Sequence, residues 1–228
     1  MKRALLPLLL LAGCSTTLTP GARYVQDAGA GGMISLPVQS MVERKFDTVV
    51  RQQYDFSCGS AALATLLRYH HDDTVDEKAV FAGMWAKGDR AQIRKLGFSL
   101  LDMKRYLEAR GLRADGYRVS LDQIASTGAP GIALIAVKNY RHFVVIKGVS
   151  ATEVLVGDPS VGLHPMPRAA FEASWNGVYF VLNNGASKSN FNRDVQWASF
   201  SRAPLAGPFI DPLSMQALAL TSPFYRDF

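Results

Sequence analysis

A change of pattern near the middle of the chain constrains its fold most. Before about residue 130 the apolar residues recur at helical spacing, and after it they come in short β-branched runs. Residues 58–69, CGSAALATLLRY, are rich in Ala and Leu with no breaker after Gly59, which predicts a helix. Thr74 with Glu77 predicts a capping box opening a second helix through about Trp85. Ser99 with Asp102 opens a third, which Gly111 ends, and Ser120 with Gln123 a short fourth. Residues 131–137 (GIALIAV), 143–149 (FVVIKGV), 154–156 and 178–182 (VYFVL) read as strands, and residues 46–50 as one more before the first helix. Helices first and strands second predict an α+β domain, a helical half packed on an antiparallel sheet. Beyond Asn183 the periodicity is lost. Pro204, Pro208, Pro212 and Pro223 predict an irregular tail, packed locally through Trp197, Phe200 and Phe209.

The first residues read as an address. Lys2 and Arg3 precede a short apolar run, and the small residues Ala12 and Gly13 lead to Cys14, the shape of a secretory signal peptide. Leu11-Ala12-Gly13-Cys14 resembles the lipobox of bacterial lipoproteins, which implies cleavage before Cys14 and acylation of that residue. Two or more acyl chains anchor a protein stably where one does not. Ser15 after the cysteine resembles sorting to the outer membrane, so the expected location is its inner leaflet, facing the periplasm. The Gly-rich residues that follow read as a tether. The expected division is 1–13 signal peptide, 14–45 lipidated cysteine and tether, 46–183 globular domain and 184–228 tail.

With 48% hydrophobic residues among 228, the chain can bury a core without disulfides. The net charge of +6 is scattered, and two of its cations lie in the signal segment, so a nucleic-acid partner is not expected. With Cys14 acylated, Cys58 is the only thiol of the exported domain. It is either a buried core residue or a used one. Its place where a loop turns into a helix, before Gly59, favours thiolate through the helix dipole and the first-turn N–H groups. Gly59 is expected to clear the approach of a substrate carbonyl. If residues 143–157 form an antiparallel hairpin about Ala151, His142 lies opposite or one place diagonal to Asp158. A carboxylate there can orient an imidazole. Gln52 and Gln53 both lie where a side-chain amide could serve an oxyanion with the Cys58 N–H.

Residues 52–59, QQYDFSCG, resemble the Gln-x5-Cys-Gly motif of the C39 peptidases, and His142-Phe143-Val144-Val145 and Asp158-Pro159 resemble that family's histidine and aspartate blocks. The resemblance covers roughly residues 46–182. It implies a papain-like fold, a Cys58–His142–Asp158 triad with no metal or cofactor, and the oxyanion role for Gln52, which holds the six-residue offset. Many C39 domains are fused to ABC exporters and cut leader peptides after Gly-Gly. This chain instead resembles the stand-alone exported forms, such as the one encoded in functional-amyloid operons. The implied partner is a secreted or periplasmic polypeptide, an amyloid-type subunit among the candidates, and the expected state is a monomer. Two other readings stay open. An NlpC/P60-type cell-wall amidase is also exported and Cys-His based, but usually carries Asp-Cys-Ser. A non-catalytic C39-like docking module commonly lacks the cysteine.

Other features read as structural. His70 and His71 before Asp72 and Asp73 are expected to be a solvated helix end rather than a metal site. His164 reads as a strand or turn residue, Gly31-Gly32 as linker, and Trp85, Trp175 and Trp197 as packing anchors.

Overall fold

The computed structural model describes residues 23–26, 35–137, 140–183 and 190–200. They fall into two units divided between Arg44 and Lys45. In the first unit, strands β1 (Arg23–Gln26) and β2 (Ser35–Val38) pair antiparallel, followed by the short helix α1 (Met41–Arg44). A β-ribbon therefore lies inside the segment that the sequence reads as a tether. Cys14, Gly31-Gly32 and Phe209 lie outside the described residues.

The second unit opens with four helices: α2 (Cys58–His70), α3 (Glu77–Lys87), α4 (Arg90–Leu96) and α5 (Leu100–Glu108). Strand β3 (Ala114–Arg118) and helix α6 (Leu121–Thr127) follow, then β4 (Gly131–Val137), β5 (Tyr140–Val149), β6 (Glu153–Asp158) and β7 (Gly162–Pro167). Helix α7 (Arg168–Ser174), strand β8 (Trp175–Leu182) and helix α8 (Asp194–Ala198) complete it. The sheet is six-stranded and antiparallel, in the order β3-β8-β4-β5-β6-β7. This is the α+β arrangement that the sequence pattern predicts, and it agrees with the papain-like fold that the C39 resemblance implies.

Burial explains why β4 and β5 are legible as continuous apolar runs. Phe143 and Val145 join Leu63, Leu66, Met103 and Phe98 in one core cluster. The alternate residues Val144 and Ile146 join Leu121, Ile124 and Phe171, from α6 and α7, in another. A strand covered on both faces carries apolar side chains at every position. Strand β7 carries Pro165 and Pro167 and sits at the sheet edge, where a missing N–H costs no ladder bond.

Several expectations are corrected. Residues 46–50 form turns rather than a strand, because their amides find acceptors outside any ladder: the Val49 N–H donates to the Phe46 carbonyl at 3.4 Å and the Val50 N–H to Thr65 Oγ1 at 2.9 Å. Helix α3 is capped by Asp76, whose carboxylate accepts from the Ala79 N–H at 2.8 Å, and not by Thr74. The Ser99–Asp102 and Ser120–Gln123 capping boxes both form. Helices α4 and α7 and strands β3 and β7 were not expected as elements, and part of the tail belongs to the body. Asn192 clamps Val149, accepting its N–H at 2.8 Å and donating to its carbonyl at 3.2 Å, while Phe191 is buried in the sheet-side core.

His70 is the largest departure. It is fully buried, because Lys147 from the middle of β5 brings its ammonium group 3.1 Å from His70 Nε2. Among the described residues, no group of three or more His, Cys, Asp or Glu is placed to hold a metal ion. Among them, too, no helix is long and apolar enough to cross a membrane.

Candidate active site

Cys58 is the first residue of α2, and no side chain caps that helix. Ser57, at the cap position, turns its hydroxyl back to Tyr54, donating to the Tyr54 carbonyl at 3.0 Å and accepting its N–H at 3.1 Å. The first-turn N–H groups are thereby left to whatever approaches Cys58. The helix is pinned by an apolar face buried under β5 and by Thr65, which holds the loop before it through Val50.

His142 lies near the start of β5, and Asp158 ends β6. The turn at residues 150–153 is closed by the Ser150 N–H donating to the Glu153 carbonyl at 2.8 Å. Val145 pairs with Gly157, so Val144 is the position facing Asp158. His142 is two residues further along on the same face, one step beyond the expected diagonal. The reach is nevertheless short: His142 Nε2 lies 2.7 Å from Asp158 Oδ1. With Nε2 so engaged, Nδ1 is the nitrogen left for the sulfur, and His142 lies close enough to Cys58 to lower its thiol. Asp158 Oδ1 also accepts from the Ser160 N–H at 2.7 Å and the Ser160 hydroxyl at 2.6 Å, which fixes the carboxylate from the turn beyond β6.

The charges follow from this geometry. Burial pushes the Cys58 thiol up, but the hydrogen bond to His142, the Phe143 backbone and the imidazolium charge bring it net below the ordinary thiol range. Burial also opposes charge on His142. The hydrogen bonds to Asp158 and Cys58 outweigh it and raise the imidazole to about 9. Burial pushes Asp158 up, and the bonds to His142 and Ser160 reverse this, holding it at about 2. The three groups favour thiolate, imidazolium and carboxylate together.

Cys58 is only 3% exposed, yet it lines a cavity of about 480 Å³ with Phe98, Leu134 and Phe143. On the other side, His142, Asp158 and Gln52 line a cavity of about 630 Å³. Gln52, not Gln53, lines that wall. It lies in a loop rather than at a strand end, its backbone N–H donating to the Pro159 carbonyl at 3.0 Å and its Nε2 to the Tyr54 carbonyl at 3.2 Å. Gly59 is also tightly packed. A Cβ there would meet Phe98 Cβ at 3.0 Å and Met103 Cε at 3.1 Å, so close packing at the helix start also favours glycine.

The family model described as the peptidase C39 family matches residues 47–187. This chain belongs to the peptidase C39 family. It is 43% identical over 192 residues, 83% of its own length and 84% of the relative's, to a probable functional amyloid protease, FapD, of Pseudomonas fluorescens. It is 41% identical over the same share to the FapD protein of Pseudomonas aeruginosa. The fold is similar to that of the peptidase domain of Streptococcus ComA, a bifunctional ABC transporter, with a TM-score of 0.51 and 20% identity over 59% of this chain and 96% of that one. The protein is thus a C39 cysteine peptidase.

In this C39 peptidase one site residue escaped the sequence. Tyr140 precedes His142 by two positions on β5, and its hydroxyl donates to the Asp55 carbonyl at 2.6 Å while contacting Cys58. Period-two alternation along β5 was the available signal, since residues 140 and 142 share a face. The strand was read as starting only at Phe143, which hid it.

Proposed function

We propose that this chain is an exported, lipid-anchored peptidase that cuts a secreted or periplasmic polypeptide through an acyl-enzyme on Cys58. The observation that carries the reading is His142, with Nε2 2.7 Å from Asp158 and Cys58 beside it at a helix start. His142 takes the Cys58 proton, and the thiolate attacks the scissile carbonyl carbon. The new oxyanion accepts from the Cys58 backbone N–H and from the Gln52 carboxamide, whose Nε2 has a second N–H beyond the one on Tyr54. Collapse breaks the C–N bond as His142 Nδ1 gives its proton to the leaving amine. Water, deprotonated by the same nitrogen, then attacks the thioester and releases the acid and Cys58. Asp158 holds the ring and its charge throughout.

The FapD relatives are named as functional amyloid proteases, which supports an amyloid-type subunit as the substrate. The lipobox-like Leu11-Ala12-Gly13-Cys14 supports acylation of Cys14 and a place at the inner leaflet of the outer membrane. Iodoacetamide is expected to alkylate Cys58 rapidly near neutral pH, and His142→Ala to slow the reaction strongly. Slow alkylation, equal in both proteins, overturns the reading.

A further inference from the structure

We infer that the cleft beside Cys58 selects a polypeptide segment carrying acidic side chains next to apolar ones; this rests on the peptidase reading and names its substrate class. Arg94, Lys95 and Arg141 line a cavity of about 600 Å³, with Asp55 the single carboxylate on its wall. The cavity shares Leu96, Gly97 and Arg141 with the one that Cys58 lines, so the two are adjacent.

Among the described residues, these three cations enter no ion pair. Two further carboxylates, Asp89 and Asp102, line the Cys58 cavity with Arg105 and Arg141, and both are engaged by the backbone. Asp89 caps α4, accepting the Ala91 and Gln92 N–H groups at 2.9 and 3.2 Å, and Asp102 closes the α5 capping box with Ser99. The guanidinium of Arg94 is steadied over the Trp85 ring, 5.4 Å from its centroid. Leu96, 73% exposed, stands bare on the same wall, and Leu101, 52% exposed, on the wall of the Cys58 cavity. A rim of unpaired positive charge around bare leucines complements an acidic, apolar segment and repels a basic one.

The test uses full-length Cys58→Ala and two fluorescein-labelled octapeptides, alternating Leu-Glu and alternating Leu-Lys, followed by fluorescence polarisation. The acidic peptide is expected to bind roughly tenfold tighter, because three partly exposed pairs act together, and the difference should shrink as salt rises. Arg94→Glu/Lys95→Glu/Arg141→Glu should abolish or reverse the preference, with Arg94→Glu/Lys95→Glu as a milder second variant and thermal melts reporting folding. Lys78→Glu/Lys87→Glu/Arg113→Glu makes the same change of net charge away from the cleft and should leave the preference intact. Equal binding of both peptides, or a preference lost equally in the control variant, overturns the inference. Alkylation of Cys58 in the wild-type chain tests the peptidase reading separately.

Discussion

Lys147 Nζ lies 3.1 Å from His70 Nε2, both side chains are fully buried, and the nearest further acceptor is the Thr48 carbonyl, 2.9 Å from the ammonium. Burial, aided by the Arg193 charge, brings Lys147 down to about 7, and burial with the Lys147 charge brings His70 down to about 2. Both folded values lie below those of an unfolded chain, ~10.4 and ~6.5. The unfolded chain therefore binds more protons from about pH 2 to 6.5 through His70, and from about 7 to 10 through Lys147. Stability rises with pH across both windows. Lys147→Met is expected to stabilise the fold near pH 7 by ~1–4 kcal/mol and to flatten the rise above it. Urea unfolding at pH 6, 7.5 and 9 reads this directly, and an unchanged slope refutes it.

Peptide hydrolysis and alkylation should part company in alkali. His142 titrates at about 9, so above that the imidazolium that protonates the leaving amine is lost and hydrolysis falls. The Cys58 thiolate persists there, so iodoacetamide alkylation should hold or increase. Parallel pH profiles of the two reactions test the assignment.

Asp158→Asn should leave Cys58 and His142 in place while removing the charge that supports the imidazolium. A loss of about 10²–10⁴-fold in kcat is expected. The alkaline limb should move toward lower pH, since the bond and charge raising His142 are weakened. A variant with an unshifted limb would show that the carboxylate is not what holds the proton on the ring.

Tyr140→Phe deletes one of the influences that lower Cys58. The acid limb of alkylation should move upward only if the hydroxyl turns from the Asp55 carbonyl to the thiolate, and an unmoved limb would show that it stays on Asp55. The phenol itself is pushed up to about 12, by burial first and then by the Cys58 charge, so it stays protonated throughout. Absorbance titration of the thiolate at 240 nm measures the shift.

Gly148→Ala places a methyl against Asn192 Oδ1 and the Trp197 indole, at the clamp that holds the 190–200 segment on β5. A loss of ~1–3 kcal/mol is expected from overpacking, with faster proteolytic trimming of the C-terminal segment. Unchanged urea unfolding would show that the clamp is dispensable.

The sequence by itself determined much of the scaffold. The capping boxes at Ser99 and Ser120 are set by groups three residues apart, and the apolar runs of β4 and β5 follow from burial on both faces. The candidate residues Cys58, His142 and Asp158 were readable because helix start, strand start and hairpin partner are local relations. What those relations could not supply was contact across the chain. ADGYR lacks the apolar alternation of a strand and becomes β3 only because β8 offers it a ladder, and GLHPMP is tolerated as β7 only because it lies at an edge. His70 looks like a solvated helix end, and only the packing of β5 against α2 buries it beside Lys147. The close packing of Gly59 against Phe98 and Met103 is likewise visible only in the structure. Backbone preference and capping act over a few residues. Burial, and the pKa values it moves, depend on what distant segments bring to the same place.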